Sequence, residues 1–330
     1  LQIAVDVMGG DHAPTEIIKG VIEAIPEVKG RIILVGPTEI IKNELANYDY
    51  NNDKLEVVEA PDIIEMEEEP ARAVRKKKDS SIVVGANLVR RGKADALVSA
   101  GSTGAMMAAG LLKIGRVKGV KRPAIATVMP ALEGETLVLD VGANVDSKPI
   151  NLAQYALMGS IYAEQILHKK EPKVGLLSVG EEEKKGNDLT KEAHQLLKEL
   201  DINFIGNVEG RDIFSGDCDL IVCDGFIGNI VLKTAEGLGN ALFTMLKSEL
   251  EESVIAKAGA FLMKSGLKNL KKKMDYAEYG GAPLLGVNGV VIISHGSSKG
   301  KAIKNAINVA QEAIEKQVVQ RIKENIKRKE

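Results

Sequence analysis

One unit recurs along this chain and constrains its fold more than any other feature: a short apolar run, a glycine turn, then a helical pattern. Ala96 to Ala100 is such a run, turned by Gly101-Ser-Thr-Gly104 and continued by an Ala, Met and Leu segment through Leu112. A buried strand, a turn and the start of a helix read this way. The same grammar returns at Asp140-Val-Gly-Ala-Asn144, Ser178-Val-Gly180, Asp224-Gly225 to Asn229 and Ser294-His-Gly-Ser-Ser298. Free N–H groups at such helix starts, with the Ser102 and Thr103 hydroxyls, can hold an anion, most simply phosphate. The expectation is an α/β protein that brings several strand ends to one crevice.

The totals narrow the function classes. The 330 residues suffice for one large α/β domain or two lobes. A formal net charge of -2, no Trp, 5 Phe and 6 Tyr argue against a nucleic-acid binder, which would be basic and offer aromatic stacking platforms. Cys218 and Cys223 make no disulfide framework and fit a reducing cytosol. Cys223 ends an apolar run and reads as a buried, inert thiol. No apolar run approaches the roughly 20 residues of a membrane span. The N-terminus enters a strand with no signal peptide, so a cytoplasmic location is expected.

Along the chain, Ile3 to Met8 reads as a strand, and Gly9-Gly10-Asp11-His12-Ala-Pro14 turns it into an amphipathic helix over about Thr15 to Ile25. Pro14 suits the first turn of that helix. Asp11 and His12 read first as a cap and a solvated turn residue, and second as chemistry at a strand end. Glu65 to Glu69 precede Arg72, Arg75, Lys76, Lys77 and Lys78; acid followed by base reads as a solvated surface or as a docking patch for an acidic partner. Thr136 to Val141 is a strand leading through Asp140 and Asn144 to a helix over about 151–168. Lys184 and Lys185 follow the strand 173–179, either as an exposed charged turn or as a loop over an anion. Asp224-Gly225-Phe-Ile-Gly-Asn229 opens a helix over about 230–250, where Asn229 is a cap or a ligand contact.

Two later stretches differ. From 247 to 278 an arm or tip is inserted in the single domain 1–330. Val254, Ala258, Phe261 and Leu262 crowd around Gly259, and seven Lys against three Glu fall between Lys247 and Met274. An apolar tip with a basic flank is the composition of an interfacial membrane element; a helical arm packed on a partner subunit reads the same. After His295-Gly-Ser-Ser298, Ile303, Ile307, Ala310, Ile314, Val318 and Ile322 form one apolar stripe, predicting a single long C-terminal helix.

Several chemistries lack their motifs. No G-x-G-x-x-G follows a strand, no G-x-S-x-G elbow is present, and no His/Cys cluster has zinc spacing. No metal and no cofactor are expected. Many anion-friendly turns without an obvious protein nucleophile suit an enzyme whose nucleophile is itself a bound anion.

The motifs Asp6-Val-Met-Gly-Gly-Asp-His-Ala-Pro14, Ser99-Ala-Gly-Ser-Thr-Gly-Ala105, Asp140-Val-Gly-Ala-Asn144, Asp224-Gly-Phe-Ile-Gly-Asn-Ile-Val-Leu-Lys233, Tyr279-Gly-Gly-Ala282 and His295-Gly-Ser-Ser298 stand in one order over essentially the whole chain. In that order they resemble the bacterial acyl-ACP:phosphate acyltransferase family, with Ser102 where Asn is more usual. The resemblance implies a Rossmann-like α/β/α sandwich similar to isocitrate and isopropylmalate dehydrogenases, with a protruding helical arm. It implies conversion of long-chain acyl-ACP and inorganic phosphate to acyl phosphate and free acyl carrier protein, the first step toward phosphatidic acid. It further implies a homodimer with peripheral membrane contact, within reach of the downstream membrane acyltransferase.

On that reading Gly101, Ser102, Thr103 and Gly104 hold phosphate, Lys184 or Lys185 adds charge, and His12, Asn229 and His295 polarise the carbonyl or protonate the leaving group. Gly9, Gly10, Asp11, Asn144, Asp224 and Gly225 complete the substrate turns. Arg72 to Lys78 and Lys268 to Lys273 are the two candidate docking patches. The rival readings are a short-chain phosphotransacetylase, an isocitrate-type dehydrogenase and a non-catalytic membrane-surface scaffold.

Overall fold

Apolar runs closed by glycine become strands, and the amphipathic segments between them become helices. The structure, a computed structural model, describes residues 1–274 and 276–327; the side chains at 254, 269, 271–274 and 276–277 lie outside the description. In chain order the first half comprises β1 (Gln2–Asp6), α1 (Thr15–Ala24), β2 (Arg31–Gly36), α2 (Thr38–Leu45), β3 (Leu55–Glu59), α3 (Pro70–Lys76), α4 (Ser81–Arg90), β4 (Ala96–Ser99), α5 (Thr103–Ala109), β5 (Ala124–Pro130) and β6 (Glu135–Leu139). There follow α6 (Pro149–Gln165), β7 (Val174–Leu177), α7 (Asp188–Lys198), β8 (Phe204–Val208), β9 (Leu220–Val222), α8 (Gly225–Glu252), α9 (Val254–Leu262) and α10 (Lys264–Met274). The chain closes with β10 (Ala282–Leu285), β11 (Val290–Ile293), α11 (Gly300–Glu315) and α12 (Val318–Lys327).

The strands form one sheet in the order β3-β2-β1-β4-β11-β10-β5-β6-β9-β7-β8. Helices cover both faces, and the side-chain alternation of the strands assigns the two cores. Ile3 and Val5 pack with Ile17, Ile18, Ile303 and Ile307 of α1 and α11. Ala4 packs on the other face with Ile82 and Val83 of α4. Burial on both faces is why these strands read as continuous apolar runs.

Strand polarity decides where the turns go. From β3 to β11 all pairings are parallel. β10 then pairs antiparallel with both β11 and β5, and β5 antiparallel with β6. Beyond β6, the pairs β6–β9, β9–β7 and β7–β8 are parallel again. Three reversals leave β6, β9, β7 and β8 running opposite to β1, β4 and β11. The C-terminal ends of the two groups therefore fall on opposite edges, termed upper (where β1 ends) and lower (where β6 ends). The expectation of one shared crevice fails within a single chain. The four-residue strand β10, with Pro283 inside it, was not read as a strand and hid the reversal.

The single C-terminal helix is also corrected. It is two helices, α11 and α12, broken where Gln317 takes φ +56°. The apolar stripe continues across the break, with Ile307, Val318 and Ile322 in one core. Along α8 the only buried residues are Gly225 and Gly228. The helix carries α9 and α10 as an arm. No described helix is long and apolar enough to cross a membrane.

Candidate active site

On the upper edge a buried carboxylate organises three turns. Asp6 is 1% exposed. The Ser99 hydroxyl donates to its Oδ2 at 2.6 Å, and the Met8 amide to its Oδ1 at 3.0 Å. The Ser99 oxygen in turn accepts from the Gly101 amide at 2.9 Å. Burial pushes the Asp6 carboxyl above its ordinary value, opposed by the Ser81 and Ser99 hydroxyls and the Met8 and Gly9 amides. A side chain on Gly9 would place its Cβ 2.5 Å from Asp6 Oδ2 and 2.6 Å from the Gly101 nitrogen. Gly10 has φ +103°, which a side chain rarely adopts. Its turn meets that of β11, because the Asp11 amide donates to Gly296 O at 2.8 Å. His12 and His295 thus sit on adjoining turns, and both are exposed. The Ser297 amide donates to His295 Nδ1 at 3.2 Å. An amide can only donate, so Nδ1 is the acceptor nitrogen and the ring proton lies on Nε2.

The β4–α5 turn departs in part from its expected role. Ser102 is buried and caps α5, accepting from the Ala105 amide at 3.4 Å. The Gly101 amide is committed to Ser99. Gly104 is required by packing, since a Cβ there would lie 2.6 Å from Pro70 Cγ. Thr103 is exposed, and the first-turn amides of Thr103 and Gly104 have no acceptor within the helix, as at any helix start. Asp11 does not cap α1: Pro14 stands at that position with no side-chain cap.

On the lower edge Asp140 is 0% exposed. Its Oδ1 accepts from the Ile125 and Ala143 amides, each at 3.0 Å, and its Oδ2 from the Asn144 amide at 2.7 Å and Asn144 Nδ2 at 3.0 Å. Burial raises this carboxyl too, against those donors. Asn144 also donates to Pro123 O at 2.7 Å, and its carbonyl accepts from the Gly225 amide at 2.9 Å. The Asn144 side chain holds the turn together. Asp224 caps α8, taking the Phe226 and Ile227 amides at 3.0 Å each. The capping reading of Asn229 is thereby replaced: it lies one turn inside α8, where Cβ at Gly142 would approach its Oδ1 to 3.5 Å.

Lys184 and Lys185 are exposed on the β7–α7 loop at the same edge. The loop is pinned on both sides of them. Asn207 Nδ2 donates to Glu182 O at 3.0 Å, and the Ser178 hydroxyl to Lys185 O at 3.4 Å. Lower-edge residues therefore gather Asn144, Lys184, Lys185, Asp224, Gly225 and Asn229. Upper-edge residues gather Gly9, Gly10, Asp11, His12, Gly101 to Gly104 and His295.

Both thiols are buried, which disfavours the nucleophilic thiolate. Burial pushes Cys218 up to about 12 and Cys223 well above its ordinary value. Among the described residues no group of His, Cys, Asp and Glu has metal-holding geometry. The sequence reading missed the two buried carboxylates, although Asp6 and Asp140 each end a strand just before a glycine turn. Of the first docking patch, Arg72, Arg75, Lys76 and Lys78 are exposed, but Lys77 is not available: its ammonium is held by Glu68 and Ile63 O. In the arm, Ala258 is exposed and Phe261 and Leu262 are 74% and 84% exposed, whereas the Val254 side chain and Lys271 to Lys273 lie outside the described residues.

Comparison with known proteins gives this geometry a context. The family model described as "Fatty acid synthesis protein" matches residues 1–321. The phosphate acyltransferase of Desulfitobacterium hafniense is 57% identical over 329 residues, covering 99% of this chain and 98% of the relative. That of Heliobacterium modesticaldum is 56% identical, with 99% and 98% covered. Among solved structures, a phosphotransacetylase from Streptococcus pyogenes superposes with a TM-score of 0.64 at 20% identity, covering 95% of this chain and 94% of that one. A 4-hydroxythreonine-4-phosphate dehydrogenase from Klebsiella pneumoniae does so at 0.50 and 14%, covering 94% and 98%. At these identities the two structures speak for the fold, an α/β architecture with a large mixed sheet. The sequence matches extend over the whole chain and settle its kinship: it belongs to the fatty acid synthesis protein family, whose matching curated members are named phosphate acyltransferase.

Proposed function

We propose that this enzyme moves a long-chain acyl group from acyl carrier protein to inorganic phosphate, releasing acyl phosphate and the free carrier thiol, as the first step toward phosphatidic acid. The full-length identity to proteins named phosphate acyltransferase carries this reading. A phosphate oxygen attacks the thioester carbon, an O–C bond forms, and the C–S bond breaks. Phosphate is already an oxyanion nucleophile at neutral pH. The leaving thiol has a pKa of about 8.5, so it needs little protonation. Catalysis then rests on positioning and on donors aimed at the developing oxyanion. The His295 Nε2–H, Asn229 and Lys184 are such donors. The short-chain phosphotransacetylase alternative has the fold likeness alone behind it, and a non-catalytic scaffold does not suit the named relatives.

The same proposal covers assembly. The chain is one domain, 1–330, with the arm 247–278 inserted, a Rossmann-like sandwich of the isocitrate and isopropylmalate dehydrogenase kind. It is a homodimer in which upper-edge turns of one copy face lower-edge turns of the other. Two observations support this: strand polarity separates the turns within one chain, and α8, which starts at the lower edge, exposes Ile227, Ile230, Leu238, Leu242 and Met245 along its length. The α9 tip, with Ile255 86% exposed beside Lys257 and Lys264, rests on the membrane surface near the downstream acyltransferase.

Thiol release from palmitoyl-ACP, with and without inorganic phosphate, tests the activity. Phosphate-dependent release with acyl phosphate trapped by hydroxylamine is expected. Release that ignores phosphate would make this a thioesterase.

A further inference from the structure

The segment 113–122 carries Lys113, Arg116, Lys118, Lys121 and Arg122 and no Asp or Glu, in a chain whose net charge is -2. Its backbone is fixed to the body. The Val117 amide donates to Gly286 O at 2.9 Å, the Asn288 amide to Gly115 O at 2.8 Å and Asn288 Nδ2 to Arg116 O at 2.7 Å. Gln154 accepts from the Lys121 amide at 2.8 Å and donates to Gly119 O at 2.9 Å. Val117 and Val120 are buried, while Arg116, Lys118, Lys121 and Arg122 are exposed. Apolar pegs thus point inward and cations outward. The Arg116 guanidinium donates to Lys121 O. Among the described residues, none of the five cations forms an ion pair with a carboxylate.

This platform abuts the lower-edge turns. Asn144 Nδ2, inside the Asp140 turn, donates to the carbonyl of Pro123, the residue after Arg122. Lys148, exposed at the start of α6, extends the positive surface. The α3 patch is different in kind: between 62 and 79, six acids outnumber five cations, and Lys77 is spent internally.

We propose that segment 113–122, with Lys148, is the docking surface for the acidic carrier protein that presents the acyl thioester. The proposal rests on the acyl-transfer reading above. A rigid, unpaired cation set complements an acidic protein, steers its approach and fixes its register. It loses little side-chain and loop freedom on binding because the backbone is already ordered. Within 113–122 Ile114, Val117 and Val120 are all buried, so the segment itself offers a bilayer no apolar side chain, which favours a protein over a membrane.

The test uses the full-length enzyme with Lys118→Glu and Lys121→Glu together and, separately, Arg75→Glu and Lys76→Glu in α3. Each is assayed with acyl-ACP and with an uncharged S-acyl-N-acetylcysteamine. The first pair should raise the KM for acyl-ACP by ~10-fold or more and flatten its salt dependence, while kcat/KM for the uncharged thioester stays within about twofold. The second pair should change neither. An unchanged KM for acyl-ACP, an equal loss on both thioesters, or a larger rise from the α3 pair overturns the assignment. Loss of adhesion to phosphatidylglycerol vesicles with acyl-ACP kinetics intact would make the patch a membrane contact and also overturn it. A wild-type enzyme that ignores phosphate with both thioesters would sink the acyl-transfer reading itself, and the docking proposal with it.

Discussion

Asp6 at the upper edge and Asp140 at the lower edge are both buried carboxylates at the end of a strand, but they recruit their donors from different ranges. Asp140 is satisfied largely by its own turn, from Ala143 and Asn144, with Ile125 from the neighbouring strand. Asp6 also takes the Met8 amide of its own turn, but it adds Ser99, 93 residues away, and through it Gly101. The lower turn draws most of its donors from residues within four positions of Asp140. The upper cluster exists only once β1, β4 and β11 lie side by side. A buried carboxylate is costly unless its lone pairs are filled, so each edge is rigid for the same reason but is built by a different route.

Substitutions can disturb either edge. The largest effects are expected on turnover. Lys184→Ala and Asn229→Ala should each lower kcat by about 10²–10³, the typical loss of one oxyanion donor; steady-state kinetics with varied phosphate would show it, and near-normal turnover would remove these two residues from the site. Next come two glycines packed against the aspartates, Gly228 on the main-chain carbonyl of Asp140 and Gly9 on the carboxylate of Asp6. A Cβ at Gly228 would sit 1.9 Å from Asp140 O, and one at Gly9 2.5 Å from Asp6 Oδ2. Gly228→Ala should cost about 3 kcal/mol or more, and Gly9→Ala somewhat less, as both force backbone or a buried network to shift; denaturant unfolding measures this. The smallest effect on chemistry belongs to the arm. Phe261→Glu with Leu262→Glu should abolish co-sedimentation with liposomes and leave turnover on soluble substrate unchanged. Unaltered sedimentation would favour the arm as a packing element.

Local patterns explain what the sequence could reveal. Although the caps Ser102 and Asp224 were not assigned, the strand–turn–helix units at 96–112, 140–144 and 224–229 were legible because their apolar runs and glycines are contiguous. So was the inertness of Cys223. Strand polarity was not legible, because it depends on a four-residue strand, β10, whose Pro283 and flanking Gly280 and Gly281 look like loop. The three reversals that run through β10 and β5 put Asn144, Lys184 and Asn229 on the edge opposite His12 and His295. The break at Gln317 was hidden by a stripe that keeps its spacing across the interruption. Ser102 caps its own helix through the Ala105 amide, a local role that the anion-binding reading displaced, whereas the packing role of Gly104 depends on Pro70 and the internal role of Lys77 on Glu68 and Ile63.

If one reaction site takes its parts from both edges, as proposed, it takes them from two copies. His12→Ala and Lys184→Ala chains, each inactive alone, can be co-expressed in equal amounts and assayed together. In a twofold dimer, half of the assemblies are mixed and each mixed dimer carries one intact site, so activity should return to about a quarter of wild type. No recovery, from a sample shown to contain mixed dimers, would place the whole site within one chain and rule out a shared site.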